Sequence, residues 1–589
     1  MHTLDWIVLF STLAFVVIYG IWKSRNVRNS ENFLAGKHDL PWWTIGLSIM
    51  ATQASAITFL STPGQGYADG VQFVQFYFGM PIAMIFLCIF VLPVYYRLRV
   101  TTAYEYLEER FDLRMRTLTA GLFLIQRGMS AAISIYAPSI ILSAVFGWNL
   151  AFTNFFMAIF VVLYTTSGGS AAVSWTQELQ MAIMLGGLLL AFFLVLQKLP
   201  SDVGVSEAWQ IAGATGKTQV LDWTFHWEDR YNVWSGIIGA TFLFLSYFGT
   251  DQSQVGRYLS GKSLKESRFG LLFNGFVKIP MQFLVLAVGV MVFVFYQFNR
   301  QPLHFNQIHR AWVSGSSSAN TTFQLLEQRN DSLFARKQLV LGELNTAIKS
   351  GDEPARAANE EKLRQLEKQR ETLRFQAKEI IYKSDPEADP KIDSFKTAAP
   401  QKYRSELNER YKDTDYVFIN FVLNHIPVGL VGVILAMIFC ASWSTTASEL
   451  SALTATSVSD IYRRSLVRGR DDHHYFRASK IATVVWGLFI ALFANVFNLF
   501  DNLIQAVNMI GSLFYGTILG IFFTAFFLKK VGGRAVFWAA VITQAVIAAL
   551  FFGISKDPYL WYNPLGCGMV MGLSWILQRT LFTNRLITQ

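Results

Sequence analysis

Runs of about 20 apolar residues recur along this 589-residue chain, and each is long enough to cross a bilayer core of about 30 Å. Within such a core only helices and closed barrels satisfy their own backbone groups. The runs are too long for barrel strands, so the chain is predicted to be an all-α polytopic membrane protein. Thirteen segments are read, near 4–23, 39–62, 73–97, 117–144, 149–167, 173–197, 232–256, 269–298, 427–459, 476–499, 502–528, 533–554 and 560–578. Only 15% of the residues are charged and 52% are hydrophobic, against about a quarter charged in a soluble domain. That balance excludes a soluble enzyme, a disordered scaffold and a nucleic-acid binder. The first segment lacks a basic lead-in and a small-residue cleavage site, and reads as a retained helix.

The net charge is +10, but in a membrane chain its placement matters more than its sum. Lys and Arg cluster after segments one, three, seven, nine, eleven and thirteen, whereas the short loops after segments two, four and ten carry none. The positive-inside rule then predicts an external N-terminus and a cytoplasmic C-terminus in a cell (cytoplasmic) membrane. Residues 299–415 are hydrophilic and are expected outside. They would divide the chain into transmembrane parts 1–298 and 416–589 around an extracytoplasmic insert, which could meet a surface protein partner. Leu326, Leu333, Val340 and Ala347 repeat every seven residues, Leu363, Leu366, Leu373 and Ile380 lie at heptad spacing, and Gly351 to Pro354 forms a turn between the two runs. This predicts an antiparallel helical hairpin closed along an apolar seam.

No GxSxG, HExxH or phosphate-cradling motif is present, so no enzyme activity is expected. Cys88, Cys440 and Cys567 all lie in apolar segments, with no disulfide or zinc pattern. Asp471, Asp472, His473 and His474 read as a solvated basic loop rather than a metal site.

The informative polarity is inside the membrane segments. Segment two carries Ser48, Ala51, Thr52, Gln53, Ala54, Ser55 and Thr58, and segment seven carries Ser246 to Gln254. Both stretches predict interrupted helices, because irregular backbone at membrane depth is tolerated only where it is buried or lines a cavity. With segment one set aside, segments two to six and seven to eleven form two five-helix halves of opposite topology, each led by an interrupted helix. That is a sequence pointer to a transporter's central site. In segment nine, Ala441, Ser444, Thr445 and Ser448 fall at i, i+3, i+4 and i+7, one stripe of a helix. Hydroxyls and freed carbonyls are hard ligands that suit an alkali cation; the alternative is a stripe bonded back to its own helix. Arg127 and Lys278 either snorkel or face the interior. Asp251 lies nearer the cytoplasmic side, where a gating ion pair or solvation would serve it. Glu449 lies deep in segment nine.

These features together resemble the sodium:solute symporter family. The resemblance covers nearly the whole chain outside 299–415. Its most specific parts are Ser48 to Gly64, Ser174-Trp175-Thr176, Gly249 to Gln252 with Arg257-Tyr258-Leu259, and Ser444-Thr445 followed by Asp460-Ile461-Tyr462. It implies a five-plus-five inverted-repeat core and a Na+ site made by Ala51, Ala54 and Ala441 carbonyls with the Ser444 and Thr445 hydroxyls. For substrate it implies Ser55, Thr58, Phe73, Tyr77 and Lys278, with Tyr247 covering the solute from the cytoplasmic side. Arg127 falls roughly where sialic-acid carriers hold a carboxylate. A second sodium site would involve Gln177 and Ser448, but Gln177 stands where many members have Asp, and Ala447 where they have Ser, so a single sodium is expected. The implied function is sodium-coupled import of a small organic solute by alternating access, with a sugar or sugar acid, sialic acid above all, as substrate. The alternatives are a monocarboxylate or vitamin-like anion, or a membrane solute sensor built on the carrier fold; the chain's ending soon after segment thirteen speaks against the sensor.

Overall fold

The computed structural model describes residues 1–24, 30–35, 40–98, 100–227, 231–495, 503–555 and 558–582. Among them the chain is almost wholly helical; an isolated bridge between Leu40 and Gly261 is the one extended pairing there. Ten helices are long and apolar enough to cross a membrane, and the Trp42–Gln53 and Ala56–Asp69 pair makes an eleventh span bent by 63°. The expected thirteen are therefore not reached by length and hydropathy among the described residues. The seventh segment forms the short apolar helix Ser235–Gly249 followed by Gln252–Leu259. The thirteenth forms Tyr562–Thr580, where Asn563, Gly566, Gly568 and Gly572 dilute the apolar signal.

Burial sorts the spans into layers. Leu430–Leu466 and Leu503–Phe527 have 89% of their apolar windows inside the protein, but Thr3–Lys23 only 28%. The first helix is thus a peripheral addition to a bundle centred on the stripe helix Leu430–Ala455. Segments five and six run as Leu150–Gln197, turned at Gly169, which takes φ +57. A Cβ there would lie 2.4 Å from the Phe33 carbonyl oxygen, so only glycine fits.

Both interruptions appear where expected. In the first broken span, Ala54 (φ −86, ψ 79) and the N-cap Ser55 (φ −80, ψ 174) separate the two halves. In the second, Thr250 and Asp251 separate Ala240–Gly249 from Gln252–Leu259, and the Asp251 carboxylate accepts from Ser253 N. The polar, small residues at both places are what allow such a break to be buried.

The insert contains the hairpin Ser317–Ser350 and Glu353–Ser384, turned at Gly351 (φ +70). The seam is broader than the expected stripe. Leu326, Ala347, Leu363, Leu366 and Leu373 are buried, Leu333, Val340 and Ile380 are half-buried, and Leu341, Leu344 and Ile381 beside them are buried as well. Asn330, Lys337 and Arg370 are also buried in the hairpin, so it is not apolar throughout. The insert holds the core through Gln338 Nε2 to Gln297 O (2.7 Å) and Arg364 Nε to Ala214 O (2.7 Å). Its end presses on the first broken span, where a Cβ on Gly64 would lie 2.1 Å from Thr414 O.

Candidate functional site

The site forms where the first broken span meets the stripe helix. Ser444 Oγ donates to Ala51 O at 3.1 Å and Thr445 Oγ1 to the same carbonyl at 3.4 Å. Ala51, Ala54, Ala441 and Ser444 are fully buried. Ala54 lies at the break, outside helical φ/ψ, so its carbonyl is not committed to a regular helix. Ala441 lies on the stripe one turn before Thr445. The Ser444 and Thr445 hydroxyls and the Ala51 carbonyl therefore meet at one junction. Such neutral, hard donors suit a monovalent cation that has shed water, and the residues present fit sodium.

Gln177 is buried beside this junction. Its Nε2 donates to Ser448 Oγ (2.7 Å), Thr52 Oγ1 (2.9 Å) and Ser444 Oγ (3.2 Å), and its Oε1 accepts from Ser48 Oγ. The structure thus brings Gln177 and Ser448 together, in a neutral amide–hydroxyl network lacing segments two, six and nine. The sequence held a signal for this link, since Ser48 and Thr52 are four residues apart on one helix face.

Arg127 does not snorkel. It is 3% exposed and pairs with Asp251, with Glu449 at 3.1 Å and with the Tyr515 hydroxyl at 2.9 Å. Its guanidinium also lies 5.3 Å from the centre of the Tyr247 ring. Two carboxylates around one guanidinium form a closed buried cluster that joins segments four, seven, nine and eleven. Sequence reading singled out the three ionisable members separately; their pairing spans 124 and 322 residues and left no local sign.

Lys278 also faces inward, fully buried, and among the described residues its Nζ makes no hydrogen bond. Its depth follows from packing. A Cβ on Gly46 would meet Phe273 and the Gly270 carbonyl, and one on Gly289 would meet Pro63. The Leu264–Phe298 helix therefore runs parallel to the first broken span, offset by about 224 residues. Lys278, eight residues past Gly270, is then level with Ala54, eight past Gly46. Gln53 Oε1 and both side-chain polar atoms of Gln282 are likewise buried without hydrogen bonds. Ser55 and Thr58 open the second half of the broken span at this level, and its first N–H groups favour an anion.

Phe73 and Tyr77 sit in an aromatic cluster: Phe73 packs on Tyr231 (4.7 Å) and Tyr77 on Phe244 (6.0 Å). The rings continue through Phe248 to Tyr247, which is 6.1 Å from Tyr515 and accepts from Gln254 Nε2 at 2.6 Å. A second polar cluster, which sequence reading missed, joins Arg116 to Asp460 (2.7 Å) and Glu108 (2.8 Å), and Glu108 to Arg464 (2.7 Å). Arg464 is thus an ion-pair partner as well as a topology signal.

The profile of the sodium:solute symporter family matches residues 32–320 and 395–543. The chain belongs to this family. The stretch between the matched parts contains most of the hairpin. The chain is 24% identical over 570 residues to the sodium/sialic acid symporter SiaT of Proteus mirabilis, covering 96% of this chain and 92% of that protein. It is 30% identical over 270 residues to the human sodium/iodide cotransporter, and 31% over 294 to the sodium-coupled monocarboxylate transporter 2 of Danio rerio, spanning 41% and 46% of those relatives. Among solved structures, it is similar to the substrate-bound outward-open state of a Na+-coupled sialic acid symporter, with a TM-score of 0.73, 22% identity and 98% of each chain covered. That likeness shows the fold.

Proposed function

We propose that this symporter couples import of a small anionic organic solute, a sugar acid of the sialic-acid class, to entry of one sodium ion. The sodium site is the junction of Ala51, Ala54, Ala441, Ser444 and Thr445. The observation that carries the anionic substrate is Lys278, a buried amine at the level of the broken helix whose Nζ has no hydrogen bond among the described residues. An unpaired buried charge is costly, and a solute carboxylate offsets it. Lys278, rather than Arg127, takes the carboxylate in this reading, because Asp251 and Glu449 already hold the guanidinium. Ser55, Thr58 and the Gln282 amide face the hydroxyls of the solute. Tyr247, with Phe73 and Tyr77 behind it in the same ring cluster, closes the inner side. Coverage favours the sugar acid over a monocarboxylate, since the similarity to SiaT runs through 96% of the chain and that to the monocarboxylate carrier through 49%.

The proposal includes a cell membrane with the N-terminus outside, the insert 299–415 on the outer side where a surface partner would meet it, and a carrier rather than an enzyme or sensor. The division into 1–298, 299–415 and 416–589 follows from that placement. The test is uptake of labelled sialic acid, glucose and lactate into proteoliposomes under an inward sodium gradient. One sodium with one monoanion moves no net charge, so an imposed inside-negative potential leaves sialic-acid uptake unchanged. A tenfold sodium gradient then supplies only ~1.4 kcal/mol. Sodium-dependent uptake of glucose alone, speeded by the potential, overturns the anionic reading.

A further inference from the structure

A small polar cavity lies inside the insert, away from the sodium and substrate residues. Its polar wall is Gln301, Asn330, Lys337, Glu367 and Arg370. Lys337 and Asn330 come from the first hairpin helix, Glu367 and Arg370 from the second, and Gln301 from the chain leaving the core. Asn330 Nδ2 donates to Gln301 O at 3.0 Å, so the cavity sits at the joint between hairpin and core.

The charges do not cancel. Glu367 pairs with Lys337 at 3.2 Å and stands 3.8 Å from Arg370. Within the lining, one carboxylate therefore faces two cations. Arg370 is 7% exposed, yet among the described residues its Nε and Nη2 make no hydrogen bond, and neither end of the Gln301 amide makes one. Buried donors are normally satisfied, and an uncompensated buried cation is worse. Water would satisfy the donors but leave the charge.

Size and lining narrow the occupant. About 10 Å³ is open to the centre of a water-sized body, room for about one such body, which is too little for a sugar acid or a phosphate. Leu333, Phe334 and Leu366 complete the wall, an apolar surface that suits a large, weakly hydrated sphere.

We propose that the base of the insert binds one halide ion, chloride in ordinary media, between Arg370, Gln301 and Lys337. The ion neutralises Arg370 and ties both hairpin helices to the chain where it leaves the core. The site is independent of the transport reading, and its test does not require transport.

The test follows thermal unfolding of the purified full-length protein at constant sodium and ionic strength, with gluconate replaced stepwise by chloride or bromide. The midpoint should rise and saturate with either halide, and acetate should not substitute. Arg370→Gln should weaken the halide response about tenfold or more, the loss of a charge-assisted hydrogen bond. An unchanged midpoint in halide, an equal response to acetate, or an undiminished response in Arg370→Gln overturns the proposal. Should that variant not fold, the 35Cl resonance linewidth decides on the native protein. Broadening reversed by bromide supports the site, and its absence refutes it.

Discussion

Replacing Thr445 by Val removes a single oxygen while keeping the branched shape. That hydroxyl reaches Ala51 O at 3.4 Å, longer than a typical hydrogen bond, so its loss should cost the fold at most ~1 kcal/mol. As a sodium ligand the same oxygen interacts with a full charge, where a hydrogen bond to a charged group is worth ~1.5–3 kcal/mol. The sodium concentration for half-maximal effect should therefore rise about tenfold to about a hundredfold, with little change in thermal stability. Tryptophan fluorescence titrated with sodium, alongside the sodium dependence of uptake, reads both quantities; Trp443 lies between Ala441 and Ser444. Ser444→Ala should act in the same direction, but it also disturbs the contact with Gln177 at 3.2 Å and is the less clean variant. An unchanged sodium curve in Thr445→Val, with only the maximal rate reduced, would refute the assignment of this junction as the ion site.

Lys278→Gln should raise the KM for an anionic solute by about a hundredfold, the scale of a lost charge-assisted contact, while leaving the fluorescence titration with sodium intact. Arg127→Gln leaves Asp251 and Glu449 facing each other without their cation. Breaking such a buried pair costs ~3–5 kcal/mol, so a marked fall in the unfolding midpoint is expected, and a midpoint unmoved from the parent contradicts the cluster. In the insert, burial pushes His304 and His309 down to about 3 and about 4. Burial opposes ionisation of Asp413, yet Arg374 and His304 outweigh it and hold its carboxyl well below the usual range. An unfolded histidine titrates near ~6.5, so the unfolded insert binds more protons below that value, and stability is lost as pH falls from about 6.5 toward about 4. Hydrogen exchange on the full protein should show 299–415 opening ahead of the core over that window; uniform exchange at pH 7 and pH 4.5 would contradict it.

The two breaks and the hydroxyl stripe were legible because the membrane allows so few alternatives. Buried irregular backbone needs small and polar residues, and those residues stand out against leucine and phenylalanine. The breaks at Ala54 and Ser55 and at Thr250 and Asp251 accordingly lie inside the two polar stretches. Spacing alone could not reveal which ionisable groups meet. Arg127 finds Glu449 through a bundle whose helix rotations no local pattern encodes. Lys278 was read as either snorkelling or inward, and only its packing against the first broken span decides. The hairpin seam shows the opposite weakness. Heptad counting finds both helices, and Val340 and Ile380 are half-buried on the seam. The buried faces also take in Lys337 and Arg370, which a purely apolar reading has no reason to admit.

The geometry also says why ion and solute should depend on one another. The first half of the broken span, Trp42–Gln53, is held to the stripe helix by the Ala51 contacts and by Gln177 through Ser48 and Thr52. The second half, Ala56–Asp69, is held by Thr414 and by the Leu264–Phe298 helix. Between them lie only Ala54 and Ser55. At the proposed site, an ion drawing the Ala51 and Ala54 carbonyls toward Ser444 and Thr445 would fix the angle between the halves, and with it the positions of Ser55 and Thr58. Solute at the proposed position between those residues and Lys278 would fix the same angle from the other side. Each ligand thus lowers the cost of ordering the hinge for the other, a coupling that is reciprocal by linkage. The two sites need share no atom, because they share the two residues that bend.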